Sequence, residues 1–207
     1  MTDVGRAGKM RVERRLEVAR NGARLLDRKQ HILADELEKL QLQVGRSRKE
    51  WNQRAGEAAI WLQRSAALDG SDLIRDASPA EGAEVELHWG GALGVVYPEG
   101  TDCKLPVLPK PGGSSALSYA VKAHRAALIA AVAHASVERA ILLVSTELNA
   151  TRVRQRAVEN RWIPKLEGQL LAIRKKIAEQ ELEESLRLRW ALRHGVDAGA
   201  SASGMDA

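Results

Sequence analysis

Phenylalanine is absent from this chain, and aromatic residues make up only 3% of it, although hydrophobic residues reach 44%. A globular core draws much of its buried area from large aromatic rings, so a core of that kind is excluded. The apolar share is mostly Ala, Leu, Val and Ile, set among Arg, Lys, Glu and Gln. These residues, Ala and Leu above all, read as long helix, because they lose little side-chain freedom there. Cysteine is nearly missing: a lone Cys103 excludes an intrachain disulfide and a zinc site of paired thiolates, and it suits a reducing cytosol. Long apolar runs are missing too. The stretch 126–144 is the most apolar, but His134, Glu138 and Arg139 interrupt it, which predicts no membrane span. The N-terminus is Arg-rich without an apolar segment, which predicts no signal peptide.

Charge is abundant, at 29% of residues and a net +5, but unevenly placed. Residues 6–29 hold nine Lys/Arg against three Asp/Glu, and residues 151–193 hold eleven against six. Residues 69–110 hold three against eight. Basic ends around an acidic middle are uncommon in a simple DNA binder.

The first segment, residues 1–68, contains no proline. From Leu16 through Ala19, Ala23, Leu26, Gln30, Leu33, Leu37, Leu40, Val44, Ser47, Trp51, Arg54, Ala58, Trp61 and Ser65 to Leu68, mostly apolar residues recur at alternating steps of three and four. A 3.5-residue period held over this length predicts a left-handed coiled-coil helix. Residues 69–115 change character, with five of the six prolines. Val85, Leu87 and Trp89 alternate there with Glu84, Glu86 and His88, a strand signal. Gly90-Gly91 suggests a tight turn into a second short strand at about Leu93–Tyr97. One isolated hairpin is marginally stable, so it must lean on a helix or pair with another chain.

Residues 116–194 form the second long segment. Its seam runs Val137, Ile141, Val144, Leu148, Thr151, Gln155, Val158, Trp162, Leu166, Leu170, Ile173 and Ile177, drifting to Leu182 and Leu186. Pro164 predicts a kink. Residues 195–207, rich in Gly, Ala and Ser, read as a disordered tail. The expected fold is mainly α: a long antiparallel two-helix left-handed coiled coil with a small β-hairpin insert at the far tip.

Signals for reactive chemistry are weak. Gly90-Gly91 and Gly112-Gly113 lack the spacing and following Lys of a phosphate-binding loop, so turn glycines are the better reading. His31, His88, His124, His134 and His194 form no metal-ligand pattern. Cys103 reads as a loop thiol without a nucleophile signature. Arg152, Arg154 and Arg156 splay around a helix as a solvated girdle. Trp51, Trp61 and Trp162 fall on the seams and read as core, whereas Trp89 on the strand suits a partner contact. No cofactor or metal is expected.

The segment Leu16-x-x-Ala19-x-x-Gly22-x-x-Leu25-Leu26-x-x-Lys29-x-x-x-Leu33 is similar to the N-terminal pattern of the D subunit of V-type (archaeal and bacterial A/V-type) ATPases. Thr151-Arg152-x-Arg154-x-x-Ala157-x-Glu159-x-x-x-Ile163-Pro164-x-Leu166-Glu167 resembles that family's C-terminal signature, and Val85–Pro98 resembles its middle insert. Val4-Gly5-Arg6-Ala7-Gly8-Lys9 stands where the family commonly has Pro-Thr-Arg. Val153, Gln155, Arg156 and Val158 replace members of its usual C-terminal motif. The resemblance implies a non-catalytic central-stalk rotor subunit on the cytoplasmic side of a peripheral membrane complex. Its expected partners are the catalytic and regulatory hexamer, the F subunit and a membrane-side socket subunit, with no direct nucleotide or nucleic acid. Expected contacts are Arg11, Arg14 and Arg15 with the hexamer, and Val85, Leu87, Trp89 and Val95 with the F subunit. The alternative from charge and heptads alone is a coiled-coil scaffold or a basic nucleic-acid-associated protein; a catalytic enzyme ranks behind both.

Overall fold

The computed structural model describes residues 5–108 and 112–202, with side chains as far as Leu192. Its elements are α1 (Arg6–Asp76), β1 (Glu84–Ala92), β2 (Val95–Lys104), α2 (Ser115–Ala157), a π-turn (Val158–Trp162) and α3 (Ile163–Ala202). They fall into two compact units, Met1–Asp27 with Val153–Ala207, and Arg28–Arg152.

In the first unit, Val12, Leu16 and Ala19 of α1 are buried against Leu166 and Leu170 of α3, with Val158, Ile163 and Ile173 packed around them. Three ion pairs run beside this seam: Arg6–Glu181 at 3.1 Å, Glu13–Arg174 at 3.0 Å and Arg20–Glu167 at 2.8 Å. Successive pairs are one heptad apart on both helices and run in opposite directions, so the helices are antiparallel. The signs alternate along each helix. A one-heptad slip would set Arg6 against Arg174 and Glu13 against Glu167. Each exposed pair contributes only about 0–1 kcal/mol, but flanking charges decide register and orientation in coiled coils.

Trp162 does not lie in the seam; it is 52% exposed. The π-turn is the cause. The Ile163 N–H reaches the Val158 carbonyl, five residues back, so the inward-facing position passes from Val158 to Ile163 and skips Trp162. Pro164 has no N–H to donate one turn back. The wide turn just before it absorbs the disturbance that proline predicts. Leu182 and Leu186 are exposed as well: among the described residues α1 begins at Arg6, whose partner is Glu181, and both leucines lie past that pair. α3 then continues to Ala202, past the His194 boundary that the sequence suggests. Residues 203–207 of the expected tail lie outside the described residues.

In the second unit, Leu33 and Leu40 of α1 are buried against Ala140, Val144 and Leu148 of α2. Both Leu33 and Val144 are fully buried. Towards the end of α1 the buried positions shrink to Ala58 and Ser65. A polar step interrupts the apolar seam where Ser47 Oγ lies 3.0 Å from His134 Nδ1. The His134 ring stacks on Trp51, with centroids 5.4 Å apart, and its Nε2 lies 3.3 Å from Glu138. Arg48 also pairs with Glu138, at 3.4 Å. Trp61 stacks on Tyr119, with centroids 4.7 Å apart, and Arg64 lies over the Trp61 ring. The helix that contains 126–144 is long and apolar enough by composition to cross a membrane. Its buried face packs against α1 through the residues just named, as in a paired helix core.

α1 extends beyond the Leu68 boundary to Asp76, but Gly70 (φ 73°, ψ 174°) breaks its helical path. Beside the break, the Asp69 carboxylate accepts from the Ser114 N–H at 2.7 Å, the Ser114 hydroxyl at 2.6 Å and the Ser65 hydroxyl at 3.2 Å. This ties the end of α1 to the start of α2. The Ser114 hydroxyl first, with its N–H and the Ser65 hydroxyl, holds the Asp69 carboxyl below its ordinary range and outweighs the desolvation that raises it.

Leu33→Ala is expected to lower the unfolding free energy by about 2–5 kcal/mol in urea titration, while Leu171→Ala, at 71% exposure, changes it little. Glu13→Arg lowers thermal stability at low salt, and adding Arg174→Glu restores most of the loss. Asp69→Ala destabilises the second unit near neutral pH; because the folded carboxyl is depressed, the difference from wild type is full above the ordinary carboxylate range and closes as pH falls through the lowered folded value.

Candidate functional site

The insert leaves the tip of the helix pair at Ala77 and turns back along the second unit. β1 and β2 pair antiparallel, from Glu84↔Lys104 to Ala92↔Val95. The turn is Leu93-Gly94, with φ of 48° and 83°, and not Gly90-Gly91, which lie inside β1 opposite Tyr97 and Val96. Positive φ at both residues is the type I′ geometry that suits strand twist. Gly94 adopts it freely, whereas Leu93 accepts a strain of about 1–2 kcal/mol. Gly91 serves another purpose: a Cβ there would sit 2.5 Å from the Val95 carbonyl oxygen. β2 is also longer than the Leu93–Tyr97 expectation and carries Cys103 within it. The register shifts at His88/Trp89, so Glu99 is an extra residue between Pro98 and Gly100. That bulge accommodates Pro98, which cannot donate to a ladder.

The two halves of the hairpin have different environments. At the turn end, Ala92, Val95 and Tyr97 pack into the core with Leu33, Leu37, Leu40, Ala140, Val144 and Leu148. The Tyr97 hydroxyl donates to Glu36 Oε1 at 2.9 Å. Desolvation first, then this bond to a carboxylate, pushes the Tyr97 phenol up to about 12. The bond from Lys39, then the one from Tyr97, hold Glu36 below its usual range. At the root end, residues 84–89 are all exposed. One face there carries Glu84, Glu86 and His88, with Glu86 paired to Lys104 at 3.5 Å and His88 to Asp102 at 2.8 Å. The opposite face carries Val85, Leu87 and Trp89, exposed by 47%, 38% and 58%.

Of the four hairpin residues singled out in the sequence, Val85, Leu87 and Trp89 therefore share one open face, while Val95 is buried on the other. Tyr97 and Glu36, which anchor the hairpin, carried no signal in the alternation, because they meet only across 61 positions of chain. Arg11, Arg14 and Arg15 are exposed on α1 in the first unit. At the base of the insert, Arg125 donates to the Pro106 carbonyl at 2.8 Å, beside an apolar groove of about 350 Å³ that includes Leu62, Ile74, Leu105, Leu117, Val121 and Leu128. Among the described residues, no three His, Cys, Asp or Glu side chains converge on a metal-sized site.

A helix pair in each unit, a strand hairpin within the second and exposed apolar and basic side chains define a coiled-coil protein. A family model described as the D subunit of ATP synthase matches residues 9–193. The chain is 29% identical to the D subunit of the A-type ATP synthase of Methanopyrus kandleri, over 87% of this chain and 81% of that one. It is 30% identical to the D subunit of the V-type ATP synthase of Thermus thermophilus, over 84% and 80%. It is 31% identical to the corresponding V-type protein of Anaeromyxobacter sp. Fw109-5, over 91% of each. The chain belongs to the family of ATP synthase D subunits.

Tyr97→Phe removes a hydrogen bond to a carboxylate and weakens hairpin docking by about 1.5–3 kcal/mol, seen as faster amide exchange in β2. In the wild type, the phenol's contribution is full below about 10, the unperturbed tyrosine value, and is lost as pH rises through about 12.

Proposed function

We propose that the chain is the non-catalytic shaft of the central stalk in a V-type or A-type ATP synthase. It couples ATP turnover in the catalytic hexamer to ion translocation through the membrane ring. The observation that carries this reading is the family match across residues 9–193, on a chain that folds as paired helices with a strand insert. A shaft needs stiffness rather than a reactive site. Paired helices with heptad seams are stiff, and two unlike helix faces give a cross-section that differs in each direction, so surrounding catalytic sites can differ at any instant. ATP is bound and hydrolysed on other subunits.

In this reading the basic end around Arg11, Arg14 and Arg15 faces acidic surfaces of the catalytic and regulatory subunits. The hairpin, through Val85, Leu87 and Trp89, meets the F subunit. The tip of the second unit, with its apolar groove, meets the membrane-side socket. The complex lies on the cytoplasmic side of the membrane, peripheral to it. A generic basic scaffold has less support, because family membership accompanies the heptads and charge.

Recovery of the tagged chain from its own cell, followed by mass spectrometry, is expected to bring catalytic, regulatory and F-type subunits with it; recovery of nucleic acid or unrelated proteins alone would sink the reading. Replacing Arg11, Arg14 and Arg15 with Ala is expected to weaken hexamer binding more at low salt than at high salt, measured by co-purification across a salt series.

A further inference from the structure

We propose that the root of the hairpin receives an extended strand from a partner subunit along the outer edge of β1, and that this strand alternates apolar with basic residues. The inference deepens the shaft reading and rests on it, since the partner is another subunit of the same complex.

The hairpin is turned inside out for an isolated element. A two-stranded ribbon against helices normally puts its apolar face inward. Here the turn end does so through Val95 and Tyr97. The root end leaves Val85, Leu87 and Trp89 open, with Val96 beyond them at 61% exposure. Large apolar side chains gathered on one open face mark an interaction surface, and a lone hairpin root gains little stability by itself.

The two edges are not equivalent. β2 carries Pro98 and the Glu99 bulge, both of which spoil a further ladder. β1 over Glu84–Ala92 contains no proline, so an added strand pairs there. Its residues would then alternate beside those of β1. On one face they adjoin Val85, Leu87 and Trp89, which calls for apolar side chains. On the other they adjoin the carboxylates of Glu84 and Glu86, which calls for Lys or Arg. The surrounding charge agrees: residues 81–104 hold five Asp/Glu (Glu81, Glu84, Glu86, Glu99, Asp102) and one Lys (Lys104), a net of −4 in a chain of +5. Such a surface repels nucleic acid and anionic lipid and attracts a basic protein segment.

The test is photo-crosslinking in the intact complex, with p-benzoylphenylalanine placed at Leu87 or Trp89. The expected product joins either position to one partner, within a segment that alternates apolar and basic residues. No protein crosslink, a crosslink to lipid, or a crosslink to an acidic or helical segment overturns the proposal. Glu84→Lys with Glu86→Lys provides a second measurement on exposed side chains, with circular dichroism as the fold check. Recovery of the crosslinked partner is expected to fall about tenfold or more, as for central interface residues; unchanged recovery overturns the charge assignment. The subunits that co-purify report separately on the shaft reading: a preparation without ATP synthase subunits removes that reading, whereas a complete complex without the crosslink removes only the strand.

Discussion

The pairing of two helices in one register is the constraint on which everything else rests. The seams are narrow and are filled by Leu, Val and Ala, with no phenylalanine to act as an unmistakable key. Leu and Ala seams slide past one another at little cost, so the apolar pattern alone leaves neighbouring registers close in energy. Polar devices remove that degeneracy. In the first unit the alternating signs of Arg6, Glu13 and Arg20 against Glu181, Arg174 and Glu167 make a one-heptad slip repulsive. In the second, Ser47 and His134 satisfy one another inside the seam, and a slip would separate them and leave the buried His134 without that partner, which is costly. None of these interactions is strong, and strength is not what the fold asks of them.

Given that register, the hairpin has a place to dock. Tyr97 reaches Glu36 only when the insert folds back from the tip, and the pocket for Val95 and Tyr97 is shared between α1 and α2. The turn end is thereby part of the core while the root end is not. A small element that is half anchored and half bare is held in position yet keeps an open edge. Anchoring lowers the conformational entropy that a partner would otherwise have to remove on binding.

Much of this was legible in the chain. The heptad positions from Leu16 to Ser65 include most of the buried residues of α1, because a sustained seven-residue repeat keeps one stripe of the helix on its partner; in α2 only Val137, Val144, Leu148 and Thr151 of the eleven buried residues lie on the expected seam. The alternation at Val85, Leu87 and Trp89 identified the strand. What escaped was local geometry that breaks a period. Trp162 fits the heptad count and still points outward, since one π-turn advances the phase by a residue. The turn was placed at Gly90-Gly91 because two glycines signal more strongly than Leu93-Gly94, although the strained Leu93 is the residue that turns. Val95, expected at a partner contact, is buried in the core, because the alternation in β1 says nothing of which residues of β2 face the helices. Tyr97 and Glu36 could not be paired from sequence at all, for their meeting is a consequence of the tertiary fold.

A two-helix pair has a single seam, so most of each helix's circumference stays outside it. That geometry explains why large apolar side chains such as Val18, Leu25 and Leu171 remain 64–71% exposed in a chain with 29% charged residues. A monomer under selection only for its own stability would replace them with polar residues at almost no cost, because they contact little. Their presence on the outer faces, with basic groups at the chain's ends and acids in its middle, is accounted for by neighbours that the isolated chain lacks. The small cores then have a function beyond economy of size. They keep the helices paired, while the larger part of the apolar surface stays on the outer faces.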